Sequence, residues 1–185
     1  LTVTDSLGQT GYAEIDLVTN DSPCSGSLEV TPSIGNALTT SFEFSSENWV
    51  DDDIPLMYKY VYTIVGDGTM ITIYESDDAY YDEAILPQGL SSACGPCDQV
   101  SLEDGNYNYT LLAGVFVYDS YGADGYSTHT IQVLPIGLAV SETVNTSTSL
   151  ALEALESQRA ELCIQIITAA AVEVNSIFVS SSSQR

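Results

Sequence analysis

Residues 119–126 read DSYGADGY and residues 5–12 read DSLGQTGY. Five positions are identical: Asp5/Asp119, Ser6/Ser120, Gly8/Gly122, Gly11/Gly125 and Tyr12/Tyr126. Each copy is flanked by residues that alternate apolar and polar, "LTVTD" and "GYAEIDLV" around the first, "VFVYD" and "GYSTHTIQV" around the second. Alternation at a period of two around a glycine-bearing turn is a β-hairpin signal. Its recurrence at an offset of 114 residues constrains the chain more than any other feature, because that is the length of one ordinary domain. The spacing predicts that residues 1–20 are the final hairpin of a preceding sandwich repeat, or donor strands that complete a neighbour's sheet. It predicts one sandwich domain over 22–135. A generic hairpin solution reached twice explains the likeness less well, since the offset matches one sandwich.

Between the copies lie further strand candidates at 27–33, 37–46, 55–65, 69–76 and 83–89, followed by the pair 107–119 and 125–135. In "PLMYKYVYTIV", Tyr58, Tyr60 and Tyr62 share one face, and Met57, Val61 and the Lys59 stem share the other. Seven or so short strands with turns between them read as an antiparallel β-sandwich. The richness in Thr, Ser, Tyr and Val before residue 148 agrees with a mostly β domain.

The composition changes after Pro135. Residues 149–178 contain no Gly and no Pro, and Leu152, Leu155, Leu162, Ile166, Ala170, Val174 and Ile177 recur at helical spacings. The pattern predicts one amphipathic helix over 148–179, about 45 Å long at 1.5 Å per residue, capped by Ser147 or Ser149. Gln165, Glu173 and Asn175 argue against a membrane span. A single helix this apolar has to pack on the sandwich, on another helix or on a neighbouring copy. Residues 180–185 read as a polar tail.

The chain carries 26 acidic residues against 3 basic ones, a formal net charge of −23. Phosphate binding needs a basic face, so nucleic acid is excluded as a partner, as is an anionic membrane surface. Four cysteines, Cys24, Cys94, Cys97 and Cys163, fit an oxidising compartment. Three sequons place candidate glycans on Asn20, Asn108 and Asn145. Together these features point to an extracellular or cell-surface protein. Residue 1 already lies in a strand pattern with neither an initiator Met nor a signal peptide before it, which leads us to expect a fragment of a longer precursor.

The "CGPC" stretch at 94–97 has the spacing of a thioredoxin-type redox motif. That chemistry needs a helix N-terminus and a βαβ frame, whereas this stretch sits between strand candidates with Asp98 beside it. A local Cys94–Cys97 disulfide is the better reading, and Cys24 and Cys163 are left to pair with each other or with other chains. Sequence does not fix the connectivity. Clustered carboxylates at Asp51, Asp52 and Asp53, and at Asp77 and Asp78, are calcium-ligand candidates. Neither stretch has EF-hand spacing. Solvated turns are favoured over a specific site, and weak calcium bridging between copies over a tight one. His129, the only histidine, lies on a strand with no catalytic pattern around it. Alternating tyrosines can form a sugar-binding stripe but more often line a core or an interface. No nucleotide loop, zinc spacing or hydrolase elbow is present, so no enzyme is expected.

The stretch "CSGSLEVTPSIGNALTTSFEFSSENWVDDDIPLMYKY" (24–60) resembles the start of the REJ (receptor for egg jelly) module of polycystin-1-like proteins. The pattern is carried by Cys24, Pro32, Gly35, Phe42, Trp49, Asp51, Pro55 and Tyr58. The resemblance covers roughly 22–135, and the twin hairpins are similar to the final strands of PKD/REJ-type sandwiches. Pro32 and Gly35 turn the chain between strands, Trp49 plugs the core, and Asp51 or Asp53 caps a turn before the Pro55 strand. The family often has a cysteine just before the tryptophan; here Ser45 and Ser46 stand there, which leaves Cys24 to another partner, with the CGPC loop as a candidate.

The expected fold is therefore a mostly β, Ig/PKD/REJ-like antiparallel sandwich followed by a long C-terminal amphipathic helix. The resemblance implies an extracellular, glycosylated ectodomain of adhesion, mechanosensing or cilium- and flagellum-coat type, without catalysis. The first functional expectation is a repeat-built structural glycoprotein that assembles with copies of itself or neighbouring repeats into a filament or surface appendage, with calcium as its only candidate ion. The alternative is a ligand-binding or adhesion ectodomain of the polycystin or egg-jelly-receptor kind, recognising glycans or protein ligands.

Overall fold

The computed structural model describes residues 1–64, 68–89 and 109–182, with side chains through residue 178. The chain opens with a hairpin, β1 (Thr2–Thr4) and β2 (Thr10–Tyr12), which among the described residues pairs with no other strand. Eight strands follow: β3 (Ser27–Thr31), β4 (Ile34–Asn36), β5 (Ser41–Glu47), β6 (Met57–Ile64), β7 (Met70–Ser76), β8 (Tyr80–Ile85), β9 (Thr110–Tyr118) and β10 (Asp124–Leu134). Two helices close the chain, α1 (Val140–Glu156) and α2 (Ala160–Ser182).

The strands form two facing sheets, one of order β4-β10-β9-β6-β7 and one of order β3-β5-β8. All pairs are antiparallel except β4 with β10, which is parallel and was not expected. Three-residue β4 carries no periodic signal of its own, and only the neighbouring β10 makes it a strand.

Alternation is what makes this a sandwich. Leu28 and Val30 on β3 and Phe42 and Phe44 on β5 point inward between exposed neighbours. Leu111, Ala113, Val115 and Val117 on the more deeply covered β9 also point inward, as do Ile131 and Val133 on β10. Tyr60 and Tyr62 enter the core from β6, with Tyr58 packed at its margin, and Phe44 meets Tyr60 edge-on at 5.6 Å between ring centroids. Gly35, expected in a turn between strands, lies instead within β4, where Thr40 and Phe42 leave no room for a Cβ. Pro32 and Pro55 lie exposed in the connections before β4 and β6.

The single long helix is corrected to two. The chain leaves helical geometry at Ser157–Arg159, where Gln158 takes φ +59°. The Arg159 N–H reaches back to the Ala154 carbonyl and the Gln158 N–H to the Leu155 carbonyl, the bond pattern of a Schellman C-cap with glutamine in the place glycine usually takes. α1 also starts earlier than expected. Glu142 accepts from the Ala139 N–H, whereas Ser147 and Ser149 are mid-helix. The buried face of α1 is Thr143, Ser147, Ala151 and Ala154, so its first turns carry no apolar period. Leu152 and Leu155 therefore face outward, both more than half exposed, while Ile166 is buried and Leu162, Val174 and Ile177 are half-buried. The break lets α2 pack back on α1 through Ala151, Ala154, Cys163, Ile166 and Ala169, with Leu38 of the sandwich in the same cluster. Helix extends through Ser182, into the stretch expected to be a polar tail.

Two of the polar residues that interrupt its greasy run tie α2 to the rest of the chain. Gln165 accepts from the Ile85 N–H of β8 (3.0 Å) and donates to the Ile73 carbonyl of β7 (3.2 Å), joining the free edges of both sheets. Glu173 accepts from the Ile136 N–H (3.0 Å) in the strand-to-helix linker. Burial pushes the Glu173 carboxyl up, and the Ile136 and Gly137 N–H groups pull it part of the way back. By length and composition the segment Ala160–Phe178 could cross a membrane; its buried Gln165 is bonded to the sandwich and its buried Glu173 to the strand-to-helix linker.

Candidate functional site

Two polar regions stand out. One is the pole of the sandwich where β9 turns into β10. The turn begins at Asp119, whose Oδ1 accepts from the Tyr121 N–H (2.8 Å) and the Ala123 N–H (2.9 Å). Asp51 and Asp53 arrive from the loop before β6, and Asp51 Oδ1 accepts from the Asp53 N–H at 2.7 Å, the turn cap expected of that segment. The Ser120 N–H donates to the Asp53 carbonyl (3.0 Å), tying the two loops together. Carboxylate oxygens of Asp51, Asp53 and Asp119 lie within 4.8 Å of one another. Asn20 donates to Asp119 Oδ2 at 2.6 Å, so the segment after the first hairpin is anchored at the same point.

These charges are unequal in environment. Burial raises the Asp53 carboxyl, and the neighbouring Asp51, Asp119 and Asp52 charges raise it further. Burial also acts upward on Asp119, but the donors of Asn20, Tyr121, Ala123 and Gly122 outweigh it and hold that carboxyl below the ordinary range. Of the calcium candidates, the structure brings Asp51 and Asp53 together, adds Asp119 and leaves Asp52 exposed outside the group. Asp78 caps the β7–β8 turn by accepting from the Tyr80 N–H, and neither it nor the exposed Asp77 joins a cation-sized group among the described residues. Both oxygens of Asp119 are already engaged, and calcium takes six to eight oxygen ligands. The trio can therefore supply only part of a cation's shell. Asp119 was missed because it reads as a turn residue. The repeated turn motif was the signal available for it.

Trp49 covers this pole. Its ring lies against Gly26 and Gly125, where a Cβ would fall 2.0 Å and 2.4 Å from ring atoms. Its Nε1 donates to Ser46 Oγ (2.8 Å), which occupies the region where the family often has a cysteine. The tryptophan thus seals the end of the core rather than filling its centre. Cys24 sits alongside, exposed and free, in a bridge with Val50. Cys163 is also free and lies buried in the helical cluster, so the Cys24–Cys163 pairing is not formed. Cys94, Cys97 and the sequon at Asn108 fall outside the described residues. Asn145 is exposed on α1, and Asn20 is exposed beside the pole.

The second region is a cleft of about 440 Å³ between β7, β8 and the start of α2. Tyr74 and Tyr81 stack in its wall at 4.5 Å between centroids. Asp78, Asp82, Glu83 and Glu161 ring it. Arg159, one of only three basic residues in the chain, reaches in from the interhelical turn and pairs with Glu83. The Tyr81 hydroxyl accepts from Gln165 Nε2 (3.1 Å), so the residue that docks α2 also fixes the cleft wall. Burial pushes the Tyr81 phenol up, against the pull of that hydrogen bond. No sequence signal pointed here, because the cleft is assembled from two sheets and a helix.

An immunoglobulin-like β-sandwich closed by a helical hairpin, with an acidic surface, defines the class of this protein. The model of the family described as "REJ domain" matches residues 1–169. The chain belongs to the REJ domain family. Among solved structures it is similar to one described as a carbohydrate-binding module from the β-sandwich superfamily, at 21% identity and a TM-score of 0.41, over 64% of this chain and 37% of that one. It is similar to the PKD1 domain of Vibrio anguillarum Epp, at 18% identity and a TM-score of 0.34, over 63% of this chain and 99% of that domain. It also resembles the sixth fibronectin type III domain of human fibronectin type III domain containing protein 3, at 15% identity and a TM-score of 0.38, over 68% and 95% of the two chains. Domains of the REJ family are typically extracellular and non-catalytic.

Proposed function

We propose that this chain is an adhesion or ligand-recognition module of an extracellular, polycystin-like ectodomain, and that its ligand is a protein partner presenting arginine or lysine to the tyrosine–carboxylate cleft. The supporting observation is the guanidinium of Arg159, which already occupies one side of that cleft against Glu83. A cation gains from aromatic faces and from carboxylates in a concave wall, and the net charge of −23 steers cations toward the surface. Titration calorimetry with an arginine-rich peptide tests this. Binding should weaken steeply with salt, and the double variant Asp82→Asn/Glu161→Gln should weaken it about tenfold, the equivalent of about 1.4 kcal/mol. No binding of basic peptides, together with binding of a neutral oligosaccharide that the double variant leaves unchanged, would replace the protein ligand with a glycan.

Self-association is a second reading with its own support. Leu152, Leu155 and Ile167 leave an apolar groove of about 350 Å³ open on the outer side of the helical hairpin, a patch of the kind that marks interfaces. Sedimentation at increasing concentration separates the readings, since a persistent monomer counts against assembly into a filament.

A further inference from the structure

Two openings lie side by side under the turn that joins α1 to α2. One is the tyrosine–carboxylate cleft of about 440 Å³. The other, of about 220 Å³, opens between β5, β8 and the two helices, and its apolar lining includes Leu38, Ile85, Leu150, Leu162 and Ile166. Glu83, Arg159 and Leu162 line both. The wall between the openings is therefore the Arg159–Glu83 ion pair with the Leu162 side chain beside it. β8 runs past both. Its residues from Tyr80 to Glu83 border the acidic opening, and Glu83 and Ile85 border the aliphatic one.

The break between the helices puts Arg159 there. Gln158 at φ +59° turns the chain, and the Arg159 N–H is held on the Ala154 carbonyl (2.9 Å). The Arg159 carbonyl accepts from the Cys163 N–H (3.1 Å) as α2 begins. Its backbone is thus fixed at both polar groups, while its side chain is 38% exposed and that of Glu83 is 43% exposed. An ion pair this open to water is weak, so a competing cation can take its place. Asp78, Asp82, Glu153 and Glu161 line the same two openings, and no second cation does so among the described residues. One guanidinium against these four carboxylates and Glu83 leaves the region short of positive charge.

We infer that the two openings are one groove for an extended segment of another protein, which carries a basic residue and, two positions on, an aliphatic one, and that the Arg159 guanidinium is a built-in occupant displaced from Glu83 by the ligand's cation. This rests on the recognition function proposed above and adds to it a second subsite and an internal competitor. Side chains two apart in an extended chain point the same way and stand about 7 Å from each other. That is the span over which β8 passes from Glu83 to Ile85, from the acidic opening to the aliphatic one. The basic side chain meets the carboxylates and the stacked Tyr74 and Tyr81, and the aliphatic one covers Leu150 and Leu162. A second copy of this chain is a poor source of the segment. Its 26 acidic residues against 3 basic ones make two copies repel each other. Lys59 does precede Val61 by two positions, but it is locked in β6 between β7 and β9.

Fluorescence anisotropy with the 185-residue chain and three labelled, end-blocked peptides tests this. The first peptide contains Arg-Ser-Leu, the second has Ser in place of the Leu, and the third has Gln in place of the Arg. The first should bind about tenfold more tightly than the second, the scale of one buried leucine, and the third should not bind measurably. Arg159→Gln should tighten the first peptide about threefold, the scale of an exposed ion pair. Leu150→Ser should bring the first and second peptides level. Equal binding of the first two peptides to the unaltered chain would overturn the two-subsite groove and leave the cation-binding function standing. Undiminished binding of the third peptide, or of none of the three, would overturn that function and this inference together. Weaker binding of the first peptide to Arg159→Gln would show that Arg159 assists the ligand and would overturn its role as competitor. The peptide comparisons use the unaltered chain, so they decide the groove whatever a variant does to folding.

Discussion

The two hairpins share a turn, a register and an alternating pattern, yet one lies in the core of a sandwich and the other lies open to solvent. Local chemistry accounts for what they share. A short acidic side chain that accepts two N–H groups and a glycine at positive φ close the same turn wherever they occur. Local chemistry does not account for the burial of Val117, because Val3 stands at the same place before the same turn and remains exposed. An isolated two-stranded hairpin is marginal in water, and the second becomes a stable element by burying Val115, Val117, Ile131 and Val133 against a facing sheet. Each fully buried side chain of that kind contributes about 1.5–3 kcal/mol.

Equivalent substitutions in the two copies should therefore diverge, and the widest gap is expected at the glycines. Gly125→Leu drives a side chain into Trp49 and the Pro23 backbone and should destabilise the sandwich by about 2–4 kcal/mol. Gly11→Leu should stay within about 0.5 kcal/mol. Urea midpoints of the two variants give the comparison directly, and similar losses would mean that the first hairpin is packed in solution.

A narrower gap is expected at the valines. Val117→Ala removes two buried methyl groups and should cost about 1–3 kcal/mol, whereas Val3→Ala should leave the urea midpoint unchanged.

The smallest effects concern charge at the pole. Asp119 has a depressed carboxyl, so its contribution is present above the ordinary carboxylate range and is lost as pH falls through its lower folded value. Asp53 has a raised carboxyl, so its ionisation weakens the folded state above that raised value and acidification relieves it. At pH near 7, thermal midpoints should fall for Asp119→Asn and rise for Asp53→Asn, with both differences shrinking in acid. Asp5→Asn should not move the sandwich midpoint at all.

Legibility in the sequence followed the range of the interactions. Six of the sandwich strands were readable because their inward residues alternate over at least five positions, as in Leu28 and Val30 or Leu111 through Val117, whereas β8, expected at 83–89, runs over Tyr80–Ile85. β4 was not, because three residues cannot show a period. The two-helix hairpin was misread as one helix because no Gly or Pro marks the break, and the cap falls on Gln158. Trp49 and the Asp51–Asp53 turn were visible from the family pattern, but Asp119 and the Tyr74–Tyr81 cleft were not, since each joins residues distant in the chain.

By itself the sequence determined the strand periodicity, the two matched turns, the acidic surface and the family. These rest on short-range sterics, on side chains reaching backbone groups two to four residues away, and on composition. Only the tertiary structure decided which hairpin is buried, where the C-terminal apolar run folds back on itself, and which carboxylates and tyrosines meet. Those outcomes depend on closing long loops around a shared core, and the free energy that selects them comes from surfaces that no local segment contains.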